Sequence, residues 1–209
     1  YASVSLADRE PERNNSTDNG NYPYPKKEQV TDYELGYQYT GNNWHAGANF
    51  YYMAYDNQIA QTGQTSDIGE ALTTNIKDSY RMGVELTAGW APLSWMSVEG
   101  NAALSQNKIK DFDEYLGDHV NHYDKSTLAY SPSAILNGFL DFHYQGFNAT
   151  WHTNFVSKQY VDNSESSERQ LPSFSQTDIN MSYTINLKGC GLKSVKLGLD
   201  LNNIFDRHY

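Results

Sequence analysis

Along most of the chain, apolar and polar residues alternate one by one, the pattern of extended strands whose side chains point to opposite faces. Between Asp32 and Thr40, Tyr33, Leu35, Tyr37 and Tyr39 share one face, opposite Asp32, Glu34, Gly36, Gln38 and Thr40. Trp44, Ala46, Ala48, Phe50, Tyr52 and Ala54 then oppose His45, Gly47, Asn49 and Tyr51. The cleanest stretch sets Tyr80, Met82, Val84, Leu86, Ala88 and Trp90 against Ser79, Arg81, Gly83, Glu85, Thr87 and Gly89. The same parity runs through Met96–Ser105, Leu136–Tyr144, Phe147–Phe155, Thr177–Leu187 and Val195–Asn202. With the alternating stub Ala2, Val4, Leu6, this predicts nine strands. No segment sustains a helical period.

The connections fall into two kinds that take turns along the chain. Short ones are expected at Gly41–Asn43, Ala91–Ser94, Gln145–Gly146 and Lys188–Lys193, and long polar loops at about 8–31, 60–78, 111–131 and 161–173. Strands of about ten residues, with short turns at one end and long loops at the other, describe an antiparallel transmembrane β-barrel of the outer-membrane type. Aromatic residues flank the short turns: Tyr39 and Trp44, Trp90 and Trp95, Tyr144 and Phe147. Rings with an apolar body and a polar tip collect at membrane interfaces, so a girdle is expected on that side. A soluble β-sandwich also alternates, but its strands average about five or six residues. In a barrel the polar face becomes the lumen, carrying Glu34, Arg81, Glu85, Glu99, Asp141, His143, Asp178 and Asp200.

Composition alone describes something different. The 209 residues carry a net charge of −10 and only 38% hydrophobic residues, which reads as a soluble acidic domain. An alternating barrel also averages polar, so the two readings share these figures. The acidic balance excludes a nucleic-acid groove, which needs a basic stripe. One cysteine excludes a disulfide framework and a thiolate zinc site. No run approaches the 18 apolar residues of a spanning helix, and no signal peptide is visible. Both ends look cut through a larger structure, so the chain is expected to be a fragment.

Several stretches resemble the C-terminal half of the barrel of TonB-dependent outer-membrane receptors. They are Leu6–Asp18, Tyr24–Tyr37, Asn49–Tyr55 with Asn57 and Gln58, Tyr80–Leu86, and the closing Leu201-Asn-Asn-Ile-Phe-Asp-Arg-His-Tyr209. The Arg9-Glu10-Pro11 variant points to the Bacteroidetes-type branch. The resemblance implies that residues 1–209 are a partial barrel domain, about nine strands of a probable 22-stranded barrel, roughly the thirteenth to the twenty-first. It implies as partners outer-membrane lipid, the receptor's own plug domain, and the TonB complex acting through a missing N-terminal region. The plug, the first half of the barrel and the last strand would lie outside the chain. It further implies energised uptake of a scarce extracellular ligand, most of all a ferric siderophore. A nine-strand open sheet should not be stable alone in water.

Candidate ligand contacts fall in three groups. Arg9, Arg13, Lys26 and Lys27 share the first long loop with Tyr22 and Tyr24. Basic and aromatic groups together suit an anionic ferric siderophore, although Asp8, Glu10, Glu12 and Glu28 nearby would also cancel that charge. Tyr51, Tyr55 and Arg81 would line the ligand's path through the lumen. His119 and His122, with Tyr123, form a histidine pair in the loop 111–131, where contact with haem or a metal chelate competes with plain solvation. Haem receptors of the resembled family carry Arg-Ala-Pro in place of Arg9-Glu10-Pro11 and a downstream His in the adjoining loop; no His lies between Arg13 and Gly41, so the resemblance tells against haem. The acidic residues of the other long loops, Asp111, Asp113, Glu114, Glu165 and Glu168, read as polar surface. Cys190 has no partner. No Gly-x-Ser-x-Gly, His-Glu-x-x-His or phosphate-cradling loop is present, so no enzyme and no cofactor are expected. The competing functions are a passive porin-like barrel and a secreted β-sandwich that binds carbohydrate through Tyr and Trp platforms.

Overall fold

A computed structural model describes residues 1–13, 24–116, 119–187 and 191–208. Among these the chain is all strand: β1 (Ala2–Arg9), β2 (Glu28–Thr40), β3 (Trp44–Thr65), β4 (Ala71–Leu93), β5 (Met96–Leu116), β6 (His119–Thr127), β7 (Ala134–Tyr144), β8 (Phe147–Val156), β9 (Gln159–Tyr160), β10 (Gln170–Leu171), β11 (Phe174–Asn186) and β12 (Ser194–Leu201). Nine of them pair in sequence order as one antiparallel sheet, β1-β2-β3-β4-β5-β7-β8-β11-β12. These are the nine that the alternation marks. A sandwich would fold such strands into two facing sheets, whereas here one sheet holds them all.

The sheet's apolar face is uncovered. Leu35 is 60% exposed, Phe50 56%, Trp90 54% and Leu197 58%, all on the apolar parity of their strands. Rows of large apolar side chains left open to water mark a surface meant for another phase or partner. At the short-turn end, Tyr39 stacks on Trp44 at 4.6 Å, Trp44 pairs across the ladder with Trp90, and Trp95 stacks on Phe142. The turn Gln145–Gly146 has positive φ at both residues (47° and 86°), the two-residue geometry that matches the twist of a hairpin. The second short turn is tighter than the sequence suggests. β4 continues to Leu93, which leaves Ser94 and Trp95 as the turn.

The opposite end departs most from expectation. Two of the four long loops are largely strand. β3 runs to Thr65 and β4 restarts at Ala71, so only 66–70 turn; β5 runs to Leu116 and β6 returns beside it. At about 3.4 Å per residue, the 22 residues of β3 extend roughly 75 Å, far beyond an apolar band about 25 Å tall. The alternation fails to announce these extensions because it is reset inside them. Asn57 and Asp111 take left-handed φ of 55° within β3 and β5, an irregularity that re-aims the side chains that follow. Ile109 and Phe112, three residues apart, consequently bury in one cluster with Ala60, Ile76 and Leu128. The apolar core therefore sits within the projecting hairpins.

Candidate functional site

Residues directly opposite on a ladder share a face, so the register assembles the polar face row by row. Glu34, Tyr51, Gly83 and Ser105 form one row across β2 to β5, and Asp32, Met53, Arg81 and Asn107 form the next. Asn49 and Glu85 are partners one row nearer the short turns, joined by a 3.4 Å hydrogen bond from the Asn49 amide. Members of these rows line a recess of about 330 Å³, among them Glu34, Asn49, Tyr51, Arg81 and Glu85, and Tyr130 joins them in its lining. Tyr130, in the connection after β6, adopts φ 52°. Tyr130 belongs to no alternating stretch, so nothing in the sequence pointed to it.

Arg81 is the cation of this recess, which it shares with the carboxylates of Glu34 and Glu85. Its guanidinium carbon lies 5.4 Å from the centre of the Tyr55 ring, within cation–π range. The Arg81 Nε, Asn49 Oδ1 and Asp32 Oδ1 atoms are buried without a hydrogen-bond partner. Buried polar atoms are normally satisfied, so these three leave open hydrogen-bonding capacity on this face. What the recess offers is a charged fork, phenol rings and open hydrogen-bonding atoms, which suit binding.

Of the sequence-predicted contacts, the structure brings together Tyr51, Tyr55 and Arg81. None of the other candidates that the structure describes lines this recess. Arg9 is held by Glu28 at 3.2 Å and Lys27 by Asp8 at 3.4 Å, so local acids do neutralise part of the first loop. Arg13 is exposed and Tyr24 is 73% exposed, while Tyr22 lies outside the described residues, as does Cys190. His119 and His122 occupy strand β6 rather than an irregular loop. At a spacing of three in a strand they belong to opposite parities, so they do not form a pair.

His122 has its own partners: Nδ1 is 2.8 Å from Asp113, and Nε2 is 3.7 Å from Asp111 and 3.4 Å from Asp124. The hydrogen bond to Asp113 holds its pKa above the ordinary histidine value against desolvation, and the charges of Asp113 and Asp111 add to it. Among the described residues no group of three or more His, Cys, Asp or Glu side chains is arranged to hold a metal ion.

The acidic loop residues are not all surface. The Glu114 side chain is 3% exposed and meets Arg169 at 2.9 Å, while the same guanidinium reaches Asp162 at 2.5 Å. Tyr123 donates its hydroxyl to Glu114 at 3.0 Å. Burial, then that carboxylate, pushes the phenol's pKa up. Glu165 accepts from Lys108 at 2.6 Å and from Thr127. Burial alone would raise its carboxyl, but these bonds outweigh it and hold the pKa low. Fully buried Asn163 accepts from the Ala129 amide and donates to the Gln61 carbonyl, at 2.8 and 2.7 Å. The segment 161–169 is thereby strapped onto the projecting hairpins. Partners 55 residues apart leave no local signal in the sequence.

The family model described as TonB dependent receptor-like, beta-barrel, matches residues 1–204. Among solved structures, the copper transporter OprC aligns over 100% of this chain and 31% of its own, at 20% identity and a TM-score of 0.73. The ferric enterobactin receptor PfeA from Pseudomonas aeruginosa, in a mutant complex with enterobactin, aligns over 99% of this chain and 33% of its own, at 18% identity and a TM-score of 0.68. The ferric-catecholate import receptor Fiu from E. coli K12 aligns over 100% and 29%, at 14% identity and a TM-score of 0.68. The chain thus spans about a third of the length of these structures. No curated protein matches it.

Proposed function

Because the chain belongs to the TonB-dependent receptor-like β-barrel family, we propose that it forms part of the wall of an outer-membrane receptor that imports a ferric siderophore. The carrying observation is the recess on the polar face, where the Arg81 guanidinium stands over the Tyr55 ring beside Tyr51. An anionic chelate with aromatic donors finds there a charged fork and phenol surfaces, the groups that bind such ligands by charge and ring contact. Two of the similar structures are receptors for ferric enterobactin and ferric catecholates by their descriptions, which favours this ligand class.

In this reading the apolar face meets lipid, the short turns face the periplasm and the projecting hairpins stand outside the cell. The polar face then surrounds a plug, whose own groups would meet Asp32, Asn49 and Glu85. Energy would come from the TonB complex acting on that plug, with the wall supplying capture and a path. The chain's part is binding rather than catalysis.

The test is growth of a strain lacking the full-length gene on single ferric siderophores as iron source. A growth defect on a ferric catecholate, restored by the intact gene and not by one encoding Arg81→Ala, is the expected result. Unchanged uptake of every siderophore offered would overturn the reading.

A further inference from the structure

On the apolar side of the sheet, two lysines meet over one tyrosine ring. Lys110 of β5 and Lys125 of β6 are direct cross-strand partners. Their ammonium groups stand 5.9 and 5.4 Å from the centre of the Tyr80 ring. Like charges set opposite each other on a ladder repel, and among the described residues neither lysine has a carboxylate within ion-pairing distance. Asp78 is the register partner of Lys110 but does not close that distance. Other cations of this region, Arg9, Lys27, Lys108 and Arg169, each hold a carboxylate. The pair thus sets two like charges on one rung of the ladder, with no ion-pair partner among the described residues.

Its depth in the wall is fixed by strand geometry. Tyr80 and Trp90 lie ten residues apart on β4, on the same face. At about 3.4 Å per residue and a tilt of about 40°, that is a rise of roughly 26 Å, close to the height of the apolar band of such barrels. With Trp90 at one water interface, Tyr80 marks the other. Below Tyr80 the same face carries Tyr52, stacked on it at 6.0 Å, Met82 opposite Tyr52, and Gln106, which accepts from the Tyr80 hydroxyl at 2.9 Å. One step above it, Lys110 and Lys125 stand at headgroup level.

We propose that Tyr80, Lys110 and Lys125 bind the phosphate group of an anionic lipid in the outer leaflet. The phosphate sits between the two ammonium groups and relieves their repulsion, while the acyl chains lie down the Tyr52 and Met82 side. This site rests on the membrane-barrel reading of the chain.

The experiment uses the full-length protein in uncharged detergent, titrated with short-chain phosphatidic acid, short-chain phosphatidylcholine and inorganic phosphate, with binding read by native mass spectrometry. Phosphatidic acid should bind in preference to phosphatidylcholine. The Lys110→Gln/Lys125→Gln double variant should lose more than about tenfold in phosphatidic acid affinity, since each lysine near such a surface contributes a several-fold factor. Equal binding by the variant overturns the site. Inorganic phosphate competing as well as the lipid shows a free-anion site and overturns the lipid assignment. Heat-modifiable gel mobility, measured on both proteins, reports the barrel separately: its absence from wild type defeats the membrane reading, and its presence with unchanged lipid binding defeats only this proposal.

Discussion

The ring of Tyr51 lies against the backbone of Gly83 on the neighbouring strand. A Cβ added at Gly83 would meet the Tyr51 hydroxyl oxygen at 2.8 Å and the Leu104 carbonyl oxygen at 2.4 Å. The glycine is thus what lets an aromatic side chain lie flat along the polar face of the sheet. His45 lies over Gly89 in the same way.

Gly83→Ala should therefore displace Tyr51 and strain the ladder, destabilising the barrel by about 1–3 kcal/mol, the usual cost of overpacking. Gly138→Ala, where an added Cβ meets nothing within 4 Å, is the matched control and should be near neutral. Urea unfolding midpoints of the two variants decide it, and equal midpoints would remove Tyr51 packing as the reason for the glycine.

Leu86 is 41% exposed, and in a water-facing sheet Leu86→Arg would cost little. Midway between Tyr80 and Trp90 on the lipid side, the same change should cost about 2–4 kcal/mol. On the other face, the neighbouring change Glu85→Gln should cost well under that. Unfolding in lipid vesicles compares them, and a tolerated Leu86→Arg would mean this face does not meet hydrocarbon.

Arg169→Ala leaves the carboxylates of Glu114 and Asp162 without their shared cation. Breaking a buried pair from one side costs about 3–5 kcal/mol. Arg169 itself is 42% exposed, so screening should reduce this to roughly 2 kcal/mol. The loss should be local: amide hydrogen exchange in 159–171 should quicken while the nine-strand ladder is unaffected. Unchanged exchange there would mean Asn163 and Lys108 hold the strap without it.

The hairpin tip and the strap should respond to pH in opposite senses. The pKa of His122 is raised, so its ion pairs with Asp113, Asp111 and Asp124 are fully present below the unfolded histidine value. They are lost as pH rises through the higher folded value. Glu165 has a lowered pKa, so its bonds to Lys108 and Thr127 are present above the unfolded carboxyl value and fail as pH falls through the lower folded one. NMR titration of the His122 ring in the wild type and in Asp113→Asn should show a lower midpoint in the variant. Identical midpoints would dissociate the shift from Asp113.

Arg81→Ala in the full-length receptor should weaken ferric catecholate binding about tenfold or more, in line with loss of a partly desolvated cation–π and charge contact. Arg81→Lys should recover only part of it, because a point charge lacks the planar fork. Tryptophan fluorescence quenching by the ferric ligand measures both. Wild-type affinity in Arg81→Ala would move the binding site away from this recess.

Nine strands, their order and the apolar face of each were legible in the chain alone, because period-2 alternation and hairpin turns are local properties. Tyr33 to Tyr39 or Tyr80 to Trp90 can be sorted without knowing any neighbour. The same parity put Tyr51 and Arg81 on one polar face, with Tyr55 in reach of them. What happens beyond Asn57 and Asp111 was settled in three dimensions, where left-handed residues reset the parity and turned expected loops into projecting strands. The folded sheet was also needed to join Glu114 to Arg169, bury Asn163 against Gln61, bring Tyr130 to the recess, and set Lys110 beside Lys125. Those contacts depend on register between strands and on segments distant in sequence, and a single chain's alternation carries no record of which row meets which.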